Sequence, residues 1–221
     1  MVIENCLGQR YIGCAMKDGI VTVNGTPGNA LGAYLDGGII EVNGNAQDAV
    51  GDTMNDGKII IHGNAGDALG YAMRGGEIFV RGNAGYRTGI HMKEYKDKKP
   101  VIIIGGRVGS FLGEYLAGGL IVVLGIDSEN FNNSDGVPVG NFTGTGMHGG
   151  KIFIRTSKEL ANLPAQVIEN IASKEDMEEI KQHISEFCRC FKIDIDMVMK
   201  DKFYVLKPNA KNPYKQLYTA N

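Results

Sequence analysis

The stretch Gly63–Arg81, whose sequence is GNAGDALGYAMRGGEIFVR, recurs along the chain with a period of 19 residues. Its first glycine returns at this interval, as Gly25, Gly44, Gly63 and Gly82. Insertions of five residues within 91–100 and of twelve within 126–145 interrupt the period without ending it, and we count seven copies between residues 6 and 155. A repeat this short cannot bury an apolar face alone, so the copies are expected to stack on one another.

Every copy carries two β-branched residues two positions apart, and in four of the seven copies they follow a pair of glycines. The pairs are Val21/Val23, Ile40/Val42, Ile59/Ile61, Ile78/Val80, Ile102/Ile104, Ile121/Val123 and Ile152/Ile154. This alternation predicts a strand with one buried face in each copy. A methionine or leucine column, from Met16 to Met147, and a third apolar column supply two more inward edges between glycine corners. The sequence therefore predicts an all-β fold, a single-stranded parallel β-helix of about seven 19-residue coils.

Two polar columns also repeat at this period. Asn45, Asn64 and Asn83 predict an internal asparagine ladder that forms hydrogen bonds between coils. Asp48 and Asp67 stand one coil apart, an arrangement that could bind a cation but is more typical of solvated corner residues.

The residues between the Ile/Val pairs point outward, and five consecutive ones are apolar: Ile60, Phe79, Ile103, Val122 and Phe153. Stacked outward side chains of this kind would form a large exposed apolar patch, so something must cover them. We expect the C-terminal segment to do so, with a partner protein as the alternative.

The glycine pattern stops after Arg155, which divides the chain into a β-helix domain, 1–156, and a C-terminal helical segment and tail, 157–221, that packs on the β-helix or on a partner. Ser173 and Asp176 resemble a capping box, with Asp in place of the usual Glu or Gln. Apolar residues at helical spacing then predict a small α-helical cap over about 173–191. A weaker helix is predicted over about 164–172 and a short strand over 202–207.

Composition excludes several classes of protein. Glycine contributes 32 of 221 residues, but without the three-residue period of collagen. The longest apolar runs, Val101–Ile104 and Leu120–Leu124, are far shorter than a membrane span of ~20 residues. A net charge of −2 argues against a dedicated nucleic-acid binder. With no visible secretory signal, we expect a cytoplasmic protein with no membrane partner.

Catalytic motifs are hard to find in this chain. The four cysteines, at positions 6, 14, 188 and 190, include no CxxC pair and are expected to be half-buried free thiols. Residues 144–149 fit GxGxxG literally, but a strand follows them where a dinucleotide site needs a helix. His148, beside the last glycine corner, is the one candidate for a functional role. We therefore predict no catalytic, cofactor-binding or metal-binding residue in this chain.

Residues 106–125, GRVGSFLGEYLAGGLIVVLG, followed by TGMHGGKIFI at 145–154, resemble the GXGXG domain of the glutamate synthase large (alpha) subunit. The resemblance covers about 6–155, and the tail PYKQLY at 213–218 is similar to that of stand-alone archaeal-type versions of this subunit. The insertion at 90–100 strengthens the match. The β-helical subunit of formylmethanofuran dehydrogenase shares the repeat and is the alternative.

This resemblance implies a right-handed β-helix and a non-catalytic structural subunit of a multi-chain, glutamine-dependent glutamate synthase, in glutamate biosynthesis and nitrogen assimilation. Such a subunit would link amidotransferase and synthase components. FMN, the iron–sulfur cluster and the N-terminal cysteine nucleophile are expected on partner chains, since position 2 here is Val2 and no cluster-type cysteine spacing occurs.

The insertions at 93–99 and 127–145 are the expected docking surfaces of such a subunit, and a homo-oligomer is also possible. The candidate interface residues are Lys93, Tyr95, Lys96, Lys98, Tyr214 and Tyr218. In a different class of function, the chain acts alone as a small-molecule-binding protein or hydrolase. That hypothesis predicts a concave polar pocket near His148.

Overall fold

The protein was analysed as a computed structural model that describes residues 1–126 and 136–209. Eight strands pair in parallel and in chain order: β1 (Val2–Leu7), β2 (Ile20–Thr26), β3 (Asp36–Asn43), β4 (Asp56–Ile61), β5 (Glu77–Val80), β6 (Val101–Ile104), β7 (Ala117–Val123) and β8 (Gly149–Arg155). Each strand belongs to a successive turn of one solenoid. The predicted parallel β-helix is confirmed.

The repeat sets the register of this sheet. Ile40 pairs with Ile59, Ile59 with Ile78 and Ile78 with Ile102, so like residues stack from coil to coil. None of the fourteen paired Ile and Val side chains is more than 4% exposed. These pairs lie on seven strands, β2–β8. From β2 to β8 the backbone makes about six full turns of the solenoid, slightly fewer than the seven coils predicted.

Glycine is required where the inward columns meet the corners. Gly70 has a φ of +67°, and a Cβ atom there would lie 2.5 Å from Cδ1 of Ile102 in the next coil. Gly51 and Ile78 repeat this relation one coil earlier. The left-handed backbone and the close approach of the isoleucine together explain why glycine recurs at this position.

The C-terminal segment folds back on the last coils through β9 (Val167–Ile171), α1 (Lys174–Phe191), α2 (Ile195–Met199) and β10 (Phe203–Pro208). Strand β10 pairs antiparallel with both β8 and β9 and extends the sheet beyond the last coil. The strand predicted over 202–207 is therefore confirmed.

The helix predicted over about 164–172 is wrong, because β9 occupies this segment. Its β-branched residues Val167, Ile168 and Ile171 favour a strand, and β10 supplies the hydrogen-bonding partner. The partner lies more than 30 residues further along the chain, where local periodicity gives no sign of it.

Helix α1 confirms the capping box. The Ser173 hydroxyl accepts the Asp176 N–H, and the Asp176 carboxylate accepts the Ser173 N–H. The helix ends at Lys192, whose φ of 54° is left-handed. Helix α2 was not predicted. Among the described residues, no helix is long and apolar enough to cross a membrane.

Candidate functional site

Five apolar side chains point outward from consecutive strands β4–β8, and we call them the sheet face: Ile60, Phe79, Ile103, Val122 and Phe153. Four of them are fully buried and Ile60 is partly buried. The side chains of α1 that pack on them are also buried: Ile180, Ile184, Phe187, Cys188 and Phe191. The chain's own helix thus covers the sheet face.

Phe187 lies at the centre of this contact. Its ring is edge-on to Phe79, with the ring centroids 5.8 Å apart, and edge-on to Phe191 at 4.8 Å. Such aromatic pairs add about 0.5–1.5 kcal/mol to what burial alone contributes. Phe187 therefore connects the helix to the sheet directly.

Charged side chains border the apolar contact and link α1 to the strands. Lys58 on β4 binds Glu186 of the helix and lies 2.7 Å from Glu77 Oε2 on β5. His183 Nδ1 of the helix lies 2.7 Å from Glu77 Oε1. Burial alone would raise the pKa of Glu77, but hydrogen bonds from His183 and Lys58 outweigh it and lower that pKa.

A second ionic cluster surrounds Asp176, whose side chain is only 7% exposed. Lys151 on β8 donates to its Oδ1 at 2.9 Å, and Lys207 on β10 donates to the same oxygen at 2.8 Å. Burial opposes ionisation, but these two lysines and the Ser173 N–H hold the pKa of Asp176 far below its usual range. The start of α1 is thus tied to two strands.

The asparagine ladder is present, but it lies on the surface. Asn45 Oδ1 accepts the Asn64 N–H and Asn64 Oδ1 accepts the Asn83 N–H, each at 2.8 Å. Asn45 and Asn64 are exposed, so the prediction of an internal ladder is wrong. The next residue in each coil, Ala46 or Ala65, takes the inward position instead.

A different side of the solenoid is formed by seven equivalent six-residue segments that precede the methionine and leucine column. We call it the corner face, and its segments are 10–15, 29–34, 48–53, 67–72, 86–91, 110–115 and 141–146. Backbone hydrogen bonds join successive segments, as from Ala49 N–H to Asp67 O and from His91 N–H to Glu114 O. These bonds hold the segments in register.

Aromatic side chains are concentrated on the corner face. Seven Tyr and Phe side chains of the described residues are exposed, and six of them lie here: Tyr11, Tyr34, Tyr71, Tyr86, Tyr115 and Phe142. The rings of His91 and Tyr115 stack in parallel at 5.0 Å, and those of Phe111 and Phe142 also stack at 5.0 Å. Sequence analysis missed this surface.

The aspartates of the corner face bind backbone groups. Asp48 Oδ1 accepts the Asp67 N–H at 2.9 Å, and Asp67 Oδ1 accepts the Tyr86 N–H at 2.8 Å. Both side chains are exposed, as expected for solvated corner residues. The carboxylates therefore join coils as the asparagines do.

The insertion at 93–99 folds against its own chain. Tyr95 and Lys98 exchange backbone hydrogen bonds at 3.1 Å, and Lys98 Nζ lies 2.9 Å from Asp56 Oδ2. Lys93, Tyr95 and Lys96 are exposed, with the Lys96 ammonium 5.3 Å from the Tyr95 ring centroid. Tyr214 and Tyr218, and residues 127–135 of the second insertion, lie outside the described residues.

His148 is exposed, and its Nδ1 lies 3.3 Å from the Gly146 carbonyl oxygen. A cavity of about 290 Å³ lies between the last coil and the segment that follows β8. It is lined by residues within 137–143 and 158–163, and His148 is not among them.

Burial differs among the four free cysteines. Cys6 and Cys188 are buried, Cys14 is exposed and Cys190 is intermediate. Burial raises the pKa of the Cys188 thiol and keeps it protonated. Within 1–126 and 136–209, no three His, Cys, Asp or Glu side chains form a group that could hold a metal ion.

Two comparisons with known proteins bear on this fold. The GXGXG motif family matches residues 1–210, which confirms the resemblance identified in the sequence. An uncharacterized protein of Methanocaldococcus jannaschii is 46% identical over 228 residues, in an alignment that covers all of this chain and 86% of that protein. Both similarities include the helix and strands that follow the solenoid.

Proposed function

The chain belongs to the GXGXG motif family, and on this premise we propose that it is a non-catalytic structural subunit of a multi-chain, glutamine-dependent glutamate synthase. The observation that carries the proposal is the family match over 1–210, together with the GEYLAGG coil at 113–119 that resembles the large subunit of that enzyme. Its role would lie in glutamate biosynthesis and nitrogen assimilation.

The geometry of the solenoid supports the role of a spacer between two partner chains. Strands β1 and β8 are seven strand spacings apart, which at ~4.8 Å each gives a rod ~34 Å long. Hydrogen bonds join each coil to the next along the sheet, the asparagine ladder and the corner face. Such a rod can hold an amidotransferase chain and a synthase chain at a fixed separation.

The chemistry of the assembly would come from the partner chains. They would supply the N-terminal cysteine nucleophile, FMN and the iron–sulfur cluster, while this chain contributes position and spacing. A variant such as His148→Ala is then expected to leave the glutamate synthase activity of the assembly unchanged. A large loss of activity in this variant would favour the hypothesis of a stand-alone enzyme.

Purification of the chain under native conditions from its own cells tests the proposal, with mass spectrometry of the proteins that accompany it. We expect a class II amidotransferase chain and an FMN- and iron–sulfur-containing synthase chain in fixed ratio. Molybdopterin or tungstopterin enzyme chains would instead assign it to formylmethanofuran dehydrogenase. A homo-oligomer without partners would contradict both assignments.

A further inference from the structure

We propose that the corner face is the docking surface for a partner protein that presents lysine and arginine side chains around an apolar centre. The inference rests on the proposed function, because it names the surface through which this subunit would join its assembly. Three independent observations support it: the exposed aromatic rings, the backbone positions they occupy, and the charge beside them.

The first observation is where the exposed rings lie. Six of the seven exposed Tyr and Phe side chains of the described residues are on this one face. Tyrosine suits a surface that is wet in the free protein and covered in a complex, since its ring is apolar and its hydroxyl is polar. Tyrosine and arginine are also the residues that dominate binding energy at protein interfaces.

The repeat supplies an internal control for these rings. Phe111 and Phe142 have φ values of 64° and 61°, in the left-handed region that disfavours large side chains. The equivalent residues of three earlier coils have the same backbone conformation but are alanines, Ala30, Ala49 and Ala68. The backbone therefore adopts this conformation with alanine, and the fold does not require a large side chain at this position. Strained backbone that carries an unneeded large side chain is typical of functional sites.

Contacts within the face already order the rings. The Arg87 guanidinium lies 5.1 Å from the Phe111 ring centroid, and its Nε donates to Glu114 at 3.1 Å. The Tyr71 ring is edge-on to His91 at 5.9 Å, and His91 in turn stacks on Tyr115. A surface ordered before binding loses less conformational entropy when a partner docks.

Charge beside the rings indicates the kind of partner. Segments 48–53 and 67–72 carry three aspartates, Asp48, Asp52 and Asp67, and no lysine or arginine. Hydrogen bonds from backbone N–H groups hold two of these carboxylates in fixed positions. Basic side chains of a partner would meet opposite charge here and ring faces beside it, where cations also bind.

Two pairs of variants test the proposal in the full-length chain. Tyr115→Ala/Phe142→Ala removes two exposed rings, and Ile171→Ala/Met197→Ala, which removes two exposed apolar side chains from the C-terminal segment, is its control. Asp48→Asn/Asp67→Asn removes charge but keeps the Oδ1 acceptors, and Glu175→Gln/Glu178→Gln on the exposed side of α1 is its control.

Each affinity-tagged chain is incubated with extract of its own cells, and every recovered partner is identified and quantified by mass spectrometry. We expect the ring variant to recover at least about tenfold less partner and the aspartate variant about three- to tenfold less, with both controls like the wild type. Carbodiimide, which joins carboxylates to amines, should cross-link Asp48, Asp52 or Asp67 to lysines of the identified partner.

Equal recovery by the wild type and the corner-face variants would overturn the proposal, as would a loss with Ile171→Ala/Met197→Ala as large as that with the ring variant. A homo-oligomer that the ring variant dissociates would make the occupant a second copy instead. Failure of the wild type to recover any partner would overturn this proposal and the proposed function together.

The two proposals can fail separately. Glutamate synthase chains recovered equally by all variants would leave the proposed function intact and overturn the docking surface. An identified basic partner of another enzyme, lost with the corner-face variants, would leave the docking surface intact and overturn the proposed function.

Discussion

The sheet face and the corner face both carry large side chains that point away from the core, but their surroundings differ. Helix α1 covers the sheet face, where Phe79, Ile103, Val122 and Phe153 are fully buried. On the corner face, Tyr115 is 41% and Phe142 53% exposed. The same repeat thus presents the sheet face to its own helix and the corner face to solvent. Of these two faces, the corner face is the one that a partner could contact.

The kind of side chain distinguishes the two faces. The sheet face consists of Ile, Val and Phe, which have no polar group and would together form a large exposed apolar patch without a cover. The corner face combines tyrosines with Arg87 and aspartates, which remain compatible with water. An outward apolar column therefore indicates a cover, while mixed aromatic and charged columns indicate a surface that alternates between water and a partner.

The largest expected effect comes from removing the central contact of the sheet face. Phe187→Ala should destabilise the protein by about 3–5 kcal/mol, because it leaves a cavity against Phe79 and Phe191. Phe142→Ala, which removes the same ring from the corner face, is the matched control. Denaturant unfolding followed by circular dichroism measures both. Similar losses in the two variants would contradict the distinction between the faces.

The next largest effect should come from a glycine of the corner face. Gly70→Ala should cost about 2–4 kcal/mol, since it combines a left-handed backbone with a Cβ atom 2.5 Å from Ile102 Cδ1. Gly19 has a φ of +84° with open space around it, so Gly19→Ala isolates the backbone cost. If thermal unfolding shows equal losses for both, close packing at the corner is not what requires glycine.

Acid should weaken the attachment of α1. The pKa of Asp176 is lowered in the folded state, so its contribution is present above the unfolded value of about 3.9 and is lost as pH falls below it. Asp176→Asn should cost about 2 kcal/mol at pH 7 and clearly less at about pH 2, because the contribution is lost only as pH approaches the lowered pKa of the folded state. Unfolding measured at both values checks this.

The exposed Glu178 of the same helix provides a control, and Glu178→Gln should change the free energy of unfolding by no more than about 0.5 kcal/mol at pH 7. A constant difference between Asp176→Asn and the wild type from pH 7 to about pH 2 would show that Lys151 and Lys207 do not stabilise the ionised carboxylate.

The smallest expected effect is that of the exposed rings on stability. Tyr115→Ala/Phe142→Ala should change the free energy of unfolding by no more than about 1 kcal/mol, because both side chains are exposed, each loses one ring contact, and alanine suits the left-handed backbone of the repeat. Denaturant unfolding of the double variant measures this directly. A loss of several kcal/mol would mean that the rings serve the fold and not a partner.

Much of the fold could be predicted because the period of the sequence is the period of the structure. The inward Ile/Val pairs, the parallel order of their strands and the outward column from Ile60 to Phe153 all follow from the 19-residue period, once the two insertions are allowed for. The capping box at Ser173 likewise marked the start of α1. These features depend on local spacing, which a single sequence contains.

The predictions that failed concern features that do not follow from the spacing of residues along the sequence. Strand β9 forms because distant β10 pairs with it, and Asn64 lies outside because Ala65 takes the inward position. The corner face was not predicted because its equivalent positions hold Ala, Asp, Arg and aromatic residues in different coils. No column of equivalent positions is therefore apolar throughout. Its signal was the replacement of Ala68 by Arg87 and Phe111 in later coils.

Hydroxyl-radical footprinting of the free chain and of its native assembly tests the contrast between the two faces most directly, since it reports the exposure of individual rings. We predict that oxidation of Tyr71, Tyr115 and Phe142 falls on assembly, and that Phe79 and Phe187 are protected in both states. Unchanged oxidation of the corner-face rings, or protection of Phe79 and Phe187 only in the assembly, would contradict this account.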